Sequence, residues 1–171
     1  MTTETNASAG ALPQGDVRLL RTEVAQRMLA ATTPARMAYV AQDGTPRVLS
    51  TWFHWTGDEL VLPTYVRAPH VARPARRLAA LRANPAVAVT IDTSTQPPEV
   101  LLLRGEVTIT EVDGVLPEYA TEARRRLPAE AATGLLTMAD QPGTVMARIA
   151  LRPTWVGVLD FQERMPGVMG G

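Results

Sequence analysis

The chain contains many short runs of apolar and β-branched residues that are separated by tight-turn signals. The run "RMAYVAQ" is followed by "DG" at 43–44, then by "TPRVLSTWFHW", "TGD" and "ELVLPTY". Asp-Gly between two such runs is typical of a two-residue hairpin turn. The pattern therefore predicts three antiparallel strands in a meander.

The rest of the chain adds further strands and a few helices. "AVAVTID", "VLLLRGEVTITEV", "TVMARIALRP" and "TWVGVLDF" are typical of strands, and Val107 and Ile109 alternate with polar residues. Helical spacing predicts a helix with Asp16 as its N-cap, a helix from about residue 74 to 83, and two more within 114–139. We therefore expect a mainly β fold with inserted helices, a barrel or sandwich.

The length suits one domain, which we place at residues 16–162. The residues before it, 1–15, are polar and small, and we interpret them as a disordered tail without the features of a secretion signal. Residues 163–171 are predicted to form a C-terminal tail.

Composition excludes several classes of function. The 17 basic residues are all arginine and are balanced by 17 acidic residues, so the net charge is zero. This balance argues against a protein that coats nucleic acid or a membrane surface. There is no cysteine for disulfide or thiolate chemistry, and no apolar run is long enough to cross a bilayer. We expect a cytoplasmic protein with no nucleic-acid or membrane partner.

Positive charge is nevertheless concentrated in "RAPHVARPARRLAALR", residues 67–82, which holds five arginines and no acid. With Pro74 in the first helical turn, Arg73 and Arg77 lie on one flank near the helix N-terminus, and Arg76 points away from the apolar face. Guanidinium groups beside the free N–H groups of a helix start form an anion site, which phosphate fits best. The alternative is a solvated helix face, but the missing acids favour the anion site.

A second basic cluster, "ARRR" at 123–126, differs because Glu118, Glu122 and Glu130 are near it in the sequence. Charges of both signs are typical of an exposed helix surface. We therefore interpret this cluster as a solvated face and expect Arg125 to have no part in binding.

The remaining residues offer little catalytic machinery of their own. The two histidines, His54 and His70, are far apart, and no cysteine or carboxylate cluster completes a metal site, so no bound metal is expected. His54 lies in an apolar strand and favours a structural or substrate-lining role. Ser50 and Thr51 supply hydroxyls, but no triad can be recognised from spacing. An enzyme with this inventory would take its reactivity from a cofactor.

The same segments, taken in order, resemble a known family. The strands quoted first, the arginine-rich helix start, "LRANPAVAVTIDT" and "VLLLRGEVTITEVDG" are similar to the pyridoxamine 5′-phosphate oxidase-like split β-barrels, and within these to the flavin/deazaflavin oxidoreductases. The resemblance covers about residues 16–162. It implies an FMN-binding type of split barrel that forms a homodimer, with FMN or the deazaflavin F420 in a groove at the dimer interface.

The resemblance also implies a set of cofactor-binding residues. Arg77 stands where similar proteins often have lysine, and its forked guanidinium can still bind phosphate. Trp155 would border the pocket, or would equally fill the core or the dimer interface. The ring is expected beside Leu49, Ser50, Thr51 and Trp52, the phosphate beside Thr64, Arg73 and Arg77, and Arg67 and Arg76 belong to the same arginine segment.

Three hypotheses for function follow. The first is an oxidoreductase that passes hydride between FMN or F420 and a small organic substrate. The second is a non-catalytic flavin or deazaflavin binding or carrier protein, since a fold does not fix a reaction. The third is a module whose arginine segment binds RNA or an acidic protein, which the zero net charge and few aromatic residues disfavour.

A homodimer is also expected from the residues themselves. Trp52, Phe53 and Trp55 lie close together in a predicted strand, and neighbouring strand residues point to opposite faces. Both faces of this strand are therefore apolar. One face can meet the chain's own core, and the other needs a ligand or a second copy.

Overall fold

The computed structural model describes residues 12–73 and 75–161, which form an eight-stranded sheet with a few helices around it. The mainly β class with inserted helices is confirmed. The strands are β1 (Ala35–Val40), β2 (Pro46–Thr51), β3 (His54–Trp55), β4 (Leu60–Arg67), β5 (Ala86–Asp92), β6 (Glu99–Asp113), β7 (Val145–Leu151) and β8 (Trp155–Asp160). The α-helices are α1 (Glu23–Ala30), α2 (Arg76–Ala83), α3 (Pro117–Arg126) and α4 (Ala129–Ala139), and a 3₁₀ helix, Val17–Arg21, precedes α1.

Strand β6 joins the two parts of the sheet. Its first part pairs with β5 on one side and β8 on the other, and its second part pairs with β7. The strand order is β2-β1-β5-β6-β7-β4-β3, with β8 added on β6, and every one of these pairs is antiparallel. One long strand therefore sets the position of both parts.

Gly105 lies where β6 changes partners, and the loop between β7 and β8 crosses it closely. A Cβ atom on Gly105 would come within 2.9 Å of the Arg152 carbonyl oxygen and 3.0 Å of the Leu151 side chain. In the same loop, the Thr154 amide donates to the Arg104 carbonyl oxygen at 2.9 Å. Only glycine leaves room for this crossing.

The predicted three-stranded meander is wrong in its pairing. Within the described residues β2 pairs with β1 alone, and the strand expected at 45–55 breaks at residues 52–53. Its remainder, β3, pairs with β4, which in turn pairs with β7. The break follows from Phe53, which is fully buried and whose carbonyl oxygen accepts a hydrogen bond from Arg126 at 3.2 Å instead of continuing a ladder.

The single helix predicted from Asp16 is two helices. Asp16 caps the 3₁₀ helix by accepting from the Arg18 amide at 2.8 Å. The hydroxyl of Thr22 then donates to the Leu19 carbonyl at 2.8 Å and accepts from the Ala25 amide at 3.3 Å. One buried threonine therefore ends the first helix and caps the second.

The core lies between the inner faces of the strands and the two helices α1 and α2. Leu78 and Leu81 of α2 are buried, as the spacing predicts, while Pro74 lies outside the described residues. No helix in the described part of the chain is long and apolar enough to cross a membrane. The central buried side chains are Met28, Leu29, Met37, Phe53, Leu60, Leu62, Val89, Ile91, Leu101, Leu103, Ile149 and Leu151.

Contacts with the sheet begin slightly before the predicted domain boundary at residue 16. The Gln14 amide side chain donates to the Val158 carbonyl at 2.7 Å and accepts from the Val158 amide at 3.0 Å. The Gly15 amide donates to the Val156 carbonyl at 2.8 Å. Residues 1–11 and 162–171, which include most of both predicted tails, lie outside the described residues.

We predict that Thr22→Val lowers the free energy of unfolding by about 1 kcal/mol, because the buried helix start loses its capping oxygen. Thr22→Ser, which keeps that oxygen, should lose clearly less. Urea unfolding followed by circular dichroism measures both variants. Equal stability of Thr22→Val and the parent would show that the cap does not hold this junction.

Candidate cofactor-binding site

The structure brings together Thr64 and Arg77, two of the residues predicted to hold phosphate. Arg77 lies in the first turn of α2 and donates through Nη2 to the Thr64 hydroxyl of β4 at 2.8 Å. Thr64 is 3% exposed and Arg77 is partly buried. Burial lowers the pKa of Arg77, and the nearby Tyr39 opposes this effect. No carboxylate of the described residues forms an ion pair with this guanidinium.

The other arginines of the 67–82 segment divide into two kinds. Arg82 pairs with Glu111, and Arg67 lies 3.9 Å from Asp113, so both ends of the segment face acids of β6. Arg73 and Arg76 are exposed, and neither forms an ion pair within the described residues. The uncompensated charge is thus confined to the start of α2.

The predicted ring-binding residues lie on an edge strand but do not share one surface. Strand β2 ends the sheet order, so one of its backbone edges has no partner strand among the described residues. Leu49 and Thr51 are partly buried opposite Met37 and Ala35 of β1, whereas Ser50 is exposed on the other face. An edge of free backbone groups can bond a planar ligand directly.

Trp52 lies beyond the end of β2 and belongs to an aromatic cluster that the sequence did not reveal. Its ring stacks on Tyr119 of α3 at 5.9 Å between centroids, and Tyr119 meets the edge of Tyr65 at 5.6 Å. The Tyr65 hydroxyl donates to the Tyr119 hydroxyl at 3.2 Å, and His70 lies 4.9 Å from the Tyr65 ring. Burial, together with the hydrogen bond to Tyr119, raises the pKa of Tyr65.

This aromatic cluster connects the predicted ring segment with the arginine segment. Trp52 follows β2, and His70 lies within residues 67–82. Tyr119 comes from a helix far along the chain, in a polar stretch with no periodic aromatic signal. Its place in the cluster depends on how α3 packs against β4, which no local pattern encodes.

The cluster at residues 123–126 is not the solvated face that mixed charges predict. The Glu122 side chain is 2% exposed and accepts from Arg125 at 2.8 Å and from Arg126 at 2.9 Å. Arg126 is itself 4% exposed in its side chain. His54 completes the group, with its Nδ1 atom 2.9 Å from the Glu122 carboxylate. His54 thus has a structural contact, consistent with one of its two expected roles.

These arginines also satisfy carbonyl groups of the backbone. Arg125 donates to the carbonyl oxygens of Ala30 and Ala31 at 2.6 and 3.1 Å, and Arg126 donates to those of Thr32 and Phe53. The network therefore ties α3 to the end of α1 and to the break between β2 and β3. Arg125 is a structural residue and cannot serve as a neutral substitution site.

Trp155 lies on β8 and packs against its neighbours in the sheet. The Arg104 guanidinium stands 4.0 Å from the centre of its ring. Gly157 and Gly15 leave room for the ring, because a Cβ at either position would come within 2.7 to 2.8 Å of it. None of these contacts involves another of the predicted cofactor-binding residues.

No protein-family model matches the chain, and no curated protein matches it in sequence. Solved structures do match. An F420 reductase is 25% identical with a TM-score of 0.50, over 77% of this chain and 94% of that chain. A putative pyridoxamine 5′-phosphate oxidase from Listeria innocua is 19% identical with a TM-score of 0.52, over 78% and 94%. The conserved hypothetical protein Rv2991 from Mycobacterium tuberculosis is 16% identical with a TM-score of 0.58, over 93% and 98%.

The same fold occurs in HutZ, the heme storage protein from Vibrio cholerae, at 17% identity and a TM-score of 0.51, over 78% of this chain and 89% of that chain. These matches show that the chain has the fold of the pyridoxamine 5′-phosphate oxidase-like proteins. The resemblance expected from the sequence is confirmed at the level of the fold. The variety of names among the matches shows that this fold does not define one activity.

We predict that Glu122→Gln lowers the free energy of unfolding by about 3–5 kcal/mol at neutral pH, because two arginines lose their buried counter-charge. Burial opposes ionisation of Glu122, but the hydrogen bonds from His54 and Arg125 outweigh it and hold the pKa of this carboxyl below its ordinary value. A carboxyl whose pKa is lower in the folded than in the unfolded chain stabilises the fold at pH values above its unfolded pKa. This stabilisation is lost as the pH falls through the folded pKa.

The difference between the parent and Glu122→Gln should therefore be constant near neutral pH and should shrink below about pH 4.5, the ordinary value for this carboxyl. Urea unfolding at a series of pH values measures it. Glu130→Gln, on an exposed residue of α4, is the control. If Glu122→Gln lowers the free energy of unfolding no more than the control does, the Glu122 carboxylate does not stabilise the fold through its arginine partners.

Proposed function

We propose that this protein is an oxidoreductase that binds FMN or the deazaflavin F420 and exchanges hydride between that cofactor and a small organic substrate. The observation that carries the proposal is the partly buried Arg77 guanidinium, which bonds to Thr64 and has no carboxylate partner among the described residues. The similarity to an F420 reductase at 25% identity supports it.

An anionic ligand fits the start of α2 for a physical reason. A cation in a partly buried position is costly unless a counter-charge or hydrogen bonds compensate it. Thr64 supplies one acceptor to Arg77, and the exposed Arg73 and Arg76 add further positive charge nearby. A phosphate group accepts hydrogen bonds from guanidinium and from hydroxyl donors at once. These residues therefore fit the phosphate of FMN or of F420.

The chain's own residues would bind and orient rather than react. A flavin or deazaflavin, when bound, supplies the hydride chemistry. Arg77 and Thr64 hold the phosphate end, and the free edge of β2, from Leu49 to Thr51, offers backbone groups to a ring system. Trp52 stacks on Tyr119, which in turn meets Tyr65, and this aromatic cluster would form a wall on one side of the ring.

A non-catalytic flavin or deazaflavin carrier is the second candidate. The heme storage protein among the fold matches illustrates that similar proteins bind cofactors without a named reaction. In the described residues no group of three or more His, Asp or Glu side chains could hold a metal ion.

The absorbance spectrum of the purified protein, with FMN, F420 or heme added, separates these ligands. Turnover of the bound cofactor by small quinones or enones then separates enzyme from carrier.

We propose further that the protein is a homodimer, as its resemblance implies. One face of β2, β1, β5 and β6 carries a row of Val48, Ala38, Ala88 and Arg104, set by the strand register. Val48 is 69% exposed, and Ala88 and Arg104 are exposed as well. A cavity of about 240 Å³ lies over this face. A second copy is the partner that would cover the exposed Val48 and Ala88 of this face.

We predict that Arg77→Gln weakens binding of the preferred cofactor roughly ten- to a hundredfold, because one charge-assisted contact to phosphate is lost. Arg77→Lys should retain most of the affinity, since an ammonium keeps the charge. Fluorescence titration with FMN and with F420 measures all variants.

Arg82→Gln is the matched control, because Arg82 lies on the same helix but already pairs with Glu111. It should bind the cofactor like the parent. Equal affinities of Arg77→Gln and Arg82→Gln would contradict the phosphate site, and binding of heme alone would contradict the flavin proposal.

We predict that Val48→Glu converts a dimer into a monomer, because it replaces an exposed valine of this sheet face, opposite Ala38, with a carboxylate. Light scattering coupled to size-exclusion chromatography measures the mass. Ala131→Glu, on the exposed side of α4, is the control and should leave the mass unchanged. A monomeric parent with cofactor bound would contradict the proposed dimer.

A further inference from the structure

A cavity between α3 and α4 lies outside the site proposed above. It has a volume of about 710 Å³ and lies within the range typical of small-molecule sites. None of the predicted cofactor-binding residues lines it. Its lining residues are Val115, Ala120, Arg124, Ala129, Ala132, Thr133, Leu136, Thr137 and Asp140.

One face of α3 contacts the rest of the fold, and the other face lines the cavity. Glu118, Tyr119, Glu122 and Arg126 are neighbours on one helical face, and all of them contact other parts of the fold. Ala120 and Arg124, four residues apart, lie on the opposite face toward the cavity. The cavity is therefore not an extension of the contacts that fix α3 on the sheet.

The α4 wall of the cavity is a single stripe of the helix. Ala129, Ala132 and Thr133, Leu136 and Thr137, and Asp140 recur at helical spacing. Only Ala132 and Ala139 of this helix are buried, although its sequence is mostly apolar. Small side chains at facing positions leave a gap that protein packing would normally close. The shape thus suits an occupant with an apolar body.

The charge in the cavity identifies the class of that occupant. Of the three consecutive arginines of α3, Arg125 and Arg126 are bonded to Glu122, whereas Arg124 is exposed and has no ion pair among the described residues. Asp140 also lines the cavity, and none of the salt bridges between described residues joins it to Arg124. The Thr137 hydroxyl is a further donor beside the apolar wall. A carboxylate at Arg124 with an apolar chain along α4 would satisfy both features.

We infer that the space between α3 and α4 is a binding site for a small amphiphile with one carboxylate and an apolar chain. The carboxylate bonds to Arg124, and the chain lies against Ala120, Ala132 and Leu136. The site takes this ligand independently of FMN or F420, because it shares no lining residue with the proposed cofactor site.

Calorimetric titration of the full-length protein with dodecanoate, below its micelle concentration, tests the inference. We expect saturable binding of one dodecanoate per chain, and roughly tenfold or more weaker binding of dodecanol, which lacks the charge. Arg124→Gln should weaken dodecanoate binding by a similar factor and leave dodecanol binding unchanged. Arg21→Gln, at an exposed arginine without an ion pair among the described residues, should behave like the parent.

A second variant tests the cavity itself. Thr133→Trp fills the space from an exposed position and should abolish dodecanoate binding, while thermal melting reports that the fold is retained. Undiminished binding to Thr133→Trp, or equal affinities of Arg124→Gln and Arg21→Gln, would overturn the inference. A parent that binds no dodecanoate would also overturn it. So would a change in the oligomeric state of Thr133→Trp, because this would show the groove to be a contact between copies.

Discussion

The fold depends on a single strand that serves two sets of partners. β6 pairs with β5 and β8 along its first part and with β7 along its second part. The chain can change partners there because Gly105 lets the backbone at Arg152 and Thr154 approach closely. A side chain at this position would separate the β7–β8 loop from β6. The relative position of β4, which carries Thr64, and β5, which follows α2, is therefore set by this crossing.

The helix α3 is the second fixed element, and it is held by forked guanidinium groups. Arg126 bonds at once to the Glu122 carboxylate and to the carbonyl oxygens of Thr32 and Phe53. Lysine has a compact ammonium group and could not reach three acceptors in this planar arrangement. This network therefore requires arginine at position 126. The same helix carries Tyr119 against Trp52, so the wall beside β2 depends on these bonds.

Local pattern predicted the elements well and their long-range pairing less well. The strands from β5 onward and the buried Leu78 and Leu81 follow from alternation and helical spacing, because these depend on neighbours in sequence. The partner of β2 does not follow from such local patterns. The predicted pairing of β2 with β4 does not form because Phe53 is buried and its carbonyl oxygen accepts from Arg126, 73 residues away. Mixed charge at residues 123–126 suggested a solvated surface, because composition cannot show that Glu122 is buried on the inner face of α3 beside His54. Of the predicted site, the family resemblance named both Arg77 and Thr64, whereas no sequence pattern named Tyr119.

The arrangement also explains how a chain of zero net charge concentrates positive charge in one segment. Glu111 and Asp113 of β6 face Arg82 and Arg67, so the acids that balance the ends of the segment come from a distant strand. Arg77, between them, is partly buried and bonded to Thr64, which fixes its direction. The free-energy cost of desolvating this guanidinium is offset during folding, before any ligand binds. An anion bound there would lose little to reorganisation of the site, which would favour the proposed phosphate contact.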